Sequence, residues 1–169
     1  MKDLLLMRHA KSSWKDAKLA DFERPLNDRG RKAAALMGKY IAKENISIDL
    51  VVSSPAVRAR QTIEQMLRAA KRSVELRFDQ LIYEATSTRL LEVISQVEDE
   101  RKSVLLVGHN PGMEEFLATL VGGEQHMPTA SLAIISLQSK KWDKVSGSKA
   151  DLTAFIKAKD LKPEERTRR

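Results

Sequence analysis

Short apolar runs that alternate with amphipathic helical patterns restrict the fold of this chain more than any other feature. Runs rich in Val, Ile and Leu occur at residues 4–7, 50–52, 104–107 and 132–137, with weaker ones at 74–78 and 152–156. Their length and composition are typical of β-strands. The stronger runs are nearly continuous in apolar residues, which indicates strands buried on both faces of a parallel sheet.

Helical patterns fill the intervals between these runs. Asn27 is a suitable N-cap for the first helix, and Ser54-Pro55 is expected to open the second because proline suits the first helical turn. A third helix is expected over residues 87–100 and a fourth over 111–121. This order predicts an α/β fold, a three-layer sandwich with a mostly parallel central sheet flanked by helices.

The chain contains no linker, low-complexity stretch or internal repeat that would divide it. At 169 residues it is long enough to bury one hydrophobic core. We therefore expect a single domain over residues 1–161, followed by a polar C-terminal tail at 162–169.

The composition narrows the class of partner. A net charge of +7, from 30 basic and 23 acidic residues, favours anionic partners in general. Aromatic residues make up only 5%, which argues against a base-stacking surface, so no nucleic-acid partner is expected. No apolar run approaches the roughly 20 residues of a membrane-spanning helix. The apolar run at the N-terminus is too short for a secretory signal, so we expect a cytoplasmic protein without a membrane partner.

Polar residues follow three of the expected strands, at the point where each strand ends. Arg8 and His9 end the first, Arg58 lies shortly after the second, and His109 follows the run at 104–107. In an open α/β sheet, ligands bind beyond the carboxyl ends of the strands. We therefore expect these side chains to meet at one edge of the sheet.

This set of residues suits phosphoryl transfer. A neutral imidazole can attack phosphorus and form a covalent intermediate. Guanidinium groups can surround the charge that spreads over the phosphoryl oxygens. Each residue taken alone is better explained as an ordinary surface or turn residue, and only their shared position favours the chemistry.

Three segments resemble the motifs of a known family. Residues 6–14 (LMRHAKSSW), 53–62 (SSPAVRARQT) and 107–112 (VGHNPG) resemble, in that order, the motifs of the histidine phosphatase superfamily, the phosphoglycerate mutase-like proteins. Residues 24–30 also fit. The resemblance is strongest to the small SixA-type branch of phosphohistidine phosphatases, and it extends over residues 3–161. It implies a phosphoglycerate mutase-like fold. The intervals that follow Arg58 and Gly112 are short, so we expect only a minimal lid.

The resemblance also implies roles for individual residues. His9 would be the nucleophile that is transiently phosphorylated. Phosphate contacts would come from Arg8, Arg58, His109, Ser12 and Asn110. Arg60 matches the second motif less well than Arg58, and His126 matches no motif, so we interpret it as a loop histidine.

Three positions bear on substrate choice. The family usually has Arg-His-Gly where this chain has Ala10, which is tolerable if its φ is negative. Lys15 stands where several mutase-like members have asparagine, so a phosphoester pocket like theirs is not implied. Glu84 is the candidate general acid, although a phosphoramidate leaving group needs such an acid less than an alkoxide does.

These arguments favour a phosphatase whose preferred substrate is protein phosphohistidine. Two alternatives stay open: a broad phosphatase of small molecules such as sugar phosphates, nucleotides or phosphoarginine, and a non-catalytic module that binds phosphorylated ligands. We expect neither a cofactor nor a metal, since the chain has no cysteine and its carboxylates lack ligand spacing. A monomer is expected.

Overall fold

A computed structural model of the chain describes residues 1–163. Residues 164–169, most of the expected polar tail, lie outside the described residues. The fold is built on a six-stranded sheet with the strand order β3-β2-β4-β1-β5-β6. The strands are β1 (Lys2–Arg8), β2 (Leu50–Ser53), β3 (Glu75–Phe78), β4 (Ser103–Gly108), β5 (Leu132–Leu137) and β6 (Ala150–Ile156).

The sheet is mostly parallel, as the apolar runs predict. β1 pairs in parallel with β4, and β2 pairs in parallel with both β3 and β4. The last two strands are antiparallel, β5 against β1 and β6 against β5. Both weaker strand candidates are confirmed, as β3 and β6.

Among the described residues, four α-helices cover the sheet: α1 (Asp28–Lys43), α2 (Val57–Ala70), α3 (Ser87–Ser95) and α4 (Gly112–Val121). The predicted cap of α1 is confirmed, because Asn27 Oδ1 accepts a hydrogen bond of 2.8 Å from the Gly30 amide. Within residues 1–163, no helix has the length and apolar character needed to cross a bilayer.

Two predicted helix bounds are wrong. The helix expected to open at Ser54-Pro55 begins at Val57, because Ala56 still has an extended backbone with ψ of 142°. The helix expected over 87–100 ends at Ser95. Val97 returns to the core with 8% exposure, and the chain must turn there to enter β4.

The core consists of two layers separated by the sheet. The side chains of β1 alternate between them: Leu4 and Leu6 pack with α3 and α4, whereas Leu5 and Met7 pack with α1 and α2. The predicted three-layer sandwich is therefore confirmed. Because both faces of β1 are buried, its carboxyl end is the first point at which polar side chains can appear.

Parallel pairing brings three strand ends together. Arg8 lies opposite Gly108, and Ser53 lies opposite Val107. The backbone continues this alignment past the strands, since the His9 amide donates to the Gly108 carbonyl at 3.1 Å. The edge predicted to carry the functional residues is therefore formed by β1, β2 and β4.

Candidate active site

A cleft of about 510 Å³ opens at this edge of the sheet. His109 and Arg58 line it, together with the residues around Tyr83 that lead into α3. The ring centroids of His9 and His109 are 5.1 Å apart. His9 and His109, which follow two different strands, are thus in contact, and Arg58 lines the same cleft as His109.

The His9 ring is oriented so that one of its two nitrogens keeps a free lone pair. Its Nδ1 lies 2.7 Å from the Ala10 carbonyl oxygen, which can only accept, so Nδ1 carries the proton. Nε2 then has a free lone pair and makes no hydrogen bond to residues 1–163. Burial, supported by the nearby charges of Arg58 and Arg8, lowers the pKa of His9 to about 4. The ring is therefore neutral at physiological pH.

His109 is also neutral, and its proton can be placed. Burial, with the neighbouring His9 and Arg58 next in effect, lowers the pKa of His109 to about 3. Its Nε2 lies 2.7 Å from Ser54 Oγ, which also accepts a hydrogen bond from the Ala56 amide. The Ser54 hydroxyl has no other acceptor among the described residues, so we assign its hydrogen to the bond with His109 Nε2 and the ring proton to Nδ1. That buried N–H has no partner among the described residues.

Arg8 is a half-buried cation with spare donors. Its Nη1 donates to the Met127 carbonyl at 3.1 Å, while its Nε is buried without a partner within residues 1–163. Burial lowers the pKa of Arg8, Glu114 partly offsets this effect, and the charge of Arg58 adds to it. The charges of Arg8 and Arg58 affect each other and Arg8 has an unused N–H donor, so the two guanidinium groups form a local environment suited to an anion.

Asp21 connects the polar groups on one side of the cleft. Its Oδ2 accepts from Arg58 Nη2 at 2.9 Å and from the Tyr83 hydroxyl at 2.6 Å, and its Oδ1 accepts from Arg24 Nη1 at 2.9 Å. The hydrogen bond from Tyr83 and those from Arg58 and Arg24 hold the pKa of Asp21 well below its usual range. Asp21 is therefore ionised at neutral pH and has no proton to donate.

Tyr83 completes this group. Burial and its bond to Asp21 raise the pKa of Tyr83 to about 12. Its ring packs edge-on against His109, with centroids 5.4 Å apart. The sequence analysis did not identify Asp21, Arg24, Tyr83 or Ser54 as site residues. Arg24 is buried at 7% exposure, which is unusual for arginine. Arg24 and Ser54 lie within the segments at 24–30 and 53–62 that resemble the family, and this is the signal that could have identified them.

The predicted minor phosphate contacts have other partners. Ser12 Oγ accepts a hydrogen bond from Arg24 Nη2. Asn110 Nδ2 donates to Glu114 Oε1 and to the Met127 carbonyl, each at 3.0 Å. Both hydrogens of that side-chain amide are therefore used, and only the backbone N–H of Asn110 is left for the predicted contact.

Glu84 lies at the rim of the cleft and is exposed. Its φ is +56°, a left-handed conformation that turns the chain between the short helical turn at 80–82 and α3. Its carboxylate makes no hydrogen bond or ion pair within residues 1–163. Glu84 is therefore near the site, but no described residue holds its carboxylate by a hydrogen bond or ion pair.

Three other predictions can be compared with the structure. Ala10 is absent from the residues with positive φ, so the methyl in place of the usual glycine is accommodated. Arg60 is exposed and lies over the Phe78 ring, outside the cleft. His126 is 75% exposed in a loop and pairs with Glu114. Residues 1–163 contain no group of three or more His, Asp or Glu side chains arranged to hold a metal.

Comparison with known proteins gives the family. The model of the histidine phosphatase superfamily (branch 1) matches residues 4–85. An uncharacterized protein of Mycobacterium tuberculosis is 31% identical over 160 residues, which cover 88% of this chain and 98% of the relative. The chain is a member of the histidine phosphatase superfamily. It is thus a phosphatase, and the first two of the three sequence motifs, at residues 6–14 and 53–62, lie within the matched segment.

Two further relatives place it within the superfamily. A phosphohistidine phosphatase SixA homolog of Haemophilus influenzae is 30% identical over 132 residues, covering 71% of this chain and 77% of the relative. A solved SixA-type structure from Agrobacterium tumefaciens superposes with a TM-score of 0.80 at 30% identity, over 92% of this chain and 97% of the other. Membership of the SixA-type branch and the phosphoglycerate mutase-like fold are both confirmed.

Proposed function

We propose that this phosphatase acts through a covalent phosphohistidine on His9, and that its preferred substrate is a phosphohistidine side chain of another protein. The observation that carries the proposal is the state of His9. Its ring is buried and neutral, Nδ1 is fixed as the donor to Ala10, and Nε2 is left with a free lone pair. An imidazole in this state is a nucleophile that needs no base to activate it.

In the first step, His9 Nε2 attacks phosphorus and the bond from phosphorus to the leaving group breaks. Arg8 and Arg58 bind the phosphoryl oxygens, and the unpartnered Nδ1–H of His109 donates to one of them. These donors are in place before the reaction and stabilise the charge of the transition state. Ser12 and the Asn110 backbone amide add weaker contacts.

In the second step, water attacks the phosphorus of phospho-His9 and the P–N bond breaks. The bond electrons return to Nε2, phosphate leaves, and His9 is again the neutral Nδ1–H tautomer. The proton released by the attacking water goes to phosphate or to solvent. Both steps balance with the substrate, His9 and water alone.

The choice of substrate depends on how well the site can donate a proton to the leaving group, and no described side chain in the cleft is well placed to do so. Expelling an alkoxide requires a positioned acid. Asp21 is held ionised, Tyr83 donates its hydroxyl to Asp21, and Glu84 is an exposed side chain without a fixed partner. The nitrogen of phosphohistidine leaves more easily than an alkoxide, because solvent can protonate it. This difference favours a phosphoramidate substrate.

The test compares variants on two classes of substrate. His9→Ala should lower phosphate release about a thousandfold or more on every substrate, because the covalent step is lost. Glu84→Ala should change turnover of a phosphohistidine protein less than about threefold, but reduce turnover of an alkyl phosphate about a hundredfold. The measurement is steady-state phosphate release.

Glu115→Ala is the matched control, since Glu115 is a second exposed carboxylate of the same cleft. It should leave both activities unchanged. Equal losses in Glu84→Ala on both substrates would contradict the assignment of the leaving group. Failure to trap phosphate on His9 with any substrate would instead favour the non-catalytic binding module.

A small-molecule phosphatase is the second candidate, and the size of the cleft favours it. About 510 Å³ lies within the range of cavities that hold small ligands. A panel of sugar phosphates, nucleotides and phosphoarginine, compared by kcat/KM with a phosphohistidine protein, separates the two. A phosphoester with the highest kcat/KM would identify the small-molecule enzyme.

A further inference from the structure

A second depression, separate from the active-site cleft, lies between α1 and the chain that follows β6. We call it the basic groove, and its cavity volume is about 430 Å³. The cationic side chains that line it are Lys11, Arg29, Lys32, Lys157 and Lys159. No Asp or Glu is among the described residues that line it.

The charges of the basic groove are not neutralised within the described chain. None of its five cations has a carboxylate oxygen within 4.0 Å among residues 1–163. By contrast Arg31, also on α1, pairs with Asp28. Five like charges around one depression repel each other and raise the local concentration of anions.

The floor of the basic groove is apolar, and this property restricts the anion. The uncharged lining consists of Ala33, Leu36, Pro128, Thr129, Ala158 and Leu161. No aromatic side chain on which a base could stack is among these described residues, so a nucleotide or single-stranded nucleic acid is not favoured. A polypeptide segment that carries both carboxylates and apolar side chains matches the charge and the floor.

The basic groove lies directly beside the backbone that holds the active site. Lys11 is two residues after His9. Pro128 follows Met127, whose carbonyl accepts from Arg8 Nη1 at 3.1 Å. A macromolecule whose phosphorylated side chain reaches His9 therefore lies close to the basic groove.

We propose that the basic groove is the docking surface for an acidic segment of the phosphoprotein substrate. This inference rests on the proposed function, and it adds the chemical character of the partner. The groove carries five cations and no carboxylate among its described lining residues, so an acidic segment is the partner whose charge complements it.

The experiment uses two phosphohistidine peptides of equal length, one flanked by four glutamates and the other by four glutamines. Wild type should hydrolyse the acidic peptide with about tenfold higher kcat/KM at low ionic strength, the sum of a few exposed ion pairs. The preference should vanish at high salt. Lys32→Gln/Lys157→Gln/Lys159→Gln should remove it as well. None of the variants should change turnover of phosphoimidazole, which cannot reach the groove.

The matched control is Lys140→Gln/Lys144→Gln/Lys149→Gln. It removes the same charge from the β5–β6 connection, at the opposite end of the sheet. This variant should keep the preference for the acidic peptide. Binding of the unphosphorylated acidic peptide, measured by calorimetry, should weaken only in the groove variant.

Four outcomes would overturn the proposal. They are equal kcat/KM for the two peptides, an unchanged preference in the groove variant, stronger competition by a single-stranded oligonucleotide than by the acidic peptide, and a several-fold gain in preference when Glu164→Gln/Glu165→Gln removes the two carboxylates that follow residue 163. The last two would assign the groove to nucleic acid or to the chain's own end. If neither peptide nor phosphoimidazole is hydrolysed, the proposed function fails, and calorimetry still decides the docking.

Discussion

Asp21 shows how one carboxylate can organise a cationic site. It accepts from Arg58, Arg24 and Tyr83, and its backbone carbonyl accepts from Arg58 Nη1 at 2.7 Å. Arg24 in turn donates from Nε to the Ser13 carbonyl at 3.2 Å and lies over the Trp14 ring. The orientation of Arg58 is therefore fixed from the loop that follows β1, so Asp21 is a positioning residue.

The titration of Tyr83 reports on this arrangement. Asp21→Asn removes a negative charge that disfavours the tyrosinate, so the pKa of Tyr83 should fall from about 12 part of the way towards its ordinary value of 10. It should not reach that value, because burial, the larger cause, remains. The measurement is tyrosinate absorbance against pH in a Tyr40→Phe background, in which Tyr83 is the sole tyrosine. Glu115→Gln should leave the titration unchanged, and an unaltered Tyr83 pKa in Asp21→Asn would refute the coupling.

The pH dependence of activity should report on His9. Protonated His9 cannot attack, and its pKa of about 4 keeps it neutral well below the ordinary histidine value of 6.5. We expect kcat/KM at pH 5.5 to stay within about twofold of its value at pH 7.5, whereas an unperturbed histidine would lose about tenfold. An acid-stable aryl phosphate is the substrate, with its own ionisation measured by phosphorus NMR and corrected for. A tenfold fall at pH 5.5 would show that the nucleophile is not the buried, neutral ring.

The sequence predicts the site residues that follow strands, but not the loop residues whose side chains link those site residues to one another. His9, Arg58 and His109 follow apolar runs, so the rule for parallel sheets brings them to one edge. Asp21 and Tyr83 are 62 residues apart and belong to no strand end. Their contact depends on how two loops pack over that edge, and no local pattern in either loop reports it.

The first turn of α1 supports the loop that carries the active site. The Asn27 amide donates to the Lys11 carbonyl at 3.0 Å, and Gly30 packs against the same carbonyl. A Cβ on Gly30 would lie 2.1 Å from Lys11 O. The helix can approach the backbone two residues beyond His9 only because position 30 has no side chain.

Gly30→Ala should therefore destabilise the fold and disturb the site. Alanine favours a helix over glycine by about 1 kcal/mol, but the clash is with backbone, and overpacking of this kind costs about 1–3 kcal/mol or more. We expect a net loss of about 2 kcal/mol in urea unfolding, with a lower kcat at pH 7.5. Gly147→Ala is the control, since no atom lies within 4 Å of its added Cβ. Stability equal in the two variants would show that α1 can shift without cost.

Helix interiors were predictable, whereas two of their ends were not. Residues 87–100 contain a continuous helical pattern, yet the chain leaves the helix after Ser95 so that Val97 can enter the core and β4 can begin at Ser103. The second helix starts at Val57, since Ala56 still has an extended ψ of 142°, and Ser54 before it contacts His109. Both differences arise from tertiary contacts.

For the molecule as a whole, the buried histidines of the active site should make the stability of the fold sensitive to acid. His9 and His109 are buried in the folded chain with pKa values lowered to about 4 and about 3. In the unfolded chain both return to about 6.5. Below pH 6.5 the unfolded state therefore binds protons that the folded state excludes. The contribution of the two histidines to the free energy of unfolding is fully present above pH 6.5 and is lost progressively as the pH falls towards 4.

The loss should be about 2 kcal/mol per histidine at pH 5, or about 4 kcal/mol in total relative to pH 7.5. Asp21 does not contribute in this window, because its lowered pKa affects stability only below its unfolded value of 3.8. Urea unfolding at pH 7.5 and 5 should show the fall in wild type and almost none in His9→Asn/His109→Gln. His126→Gln, which replaces an exposed ring, should keep the fall because both buried rings are intact. Equal stability of wild type at the two pH values would mean that these imidazoles are protonated at little cost in the fold, and the neutral nucleophile would then lose its physical basis.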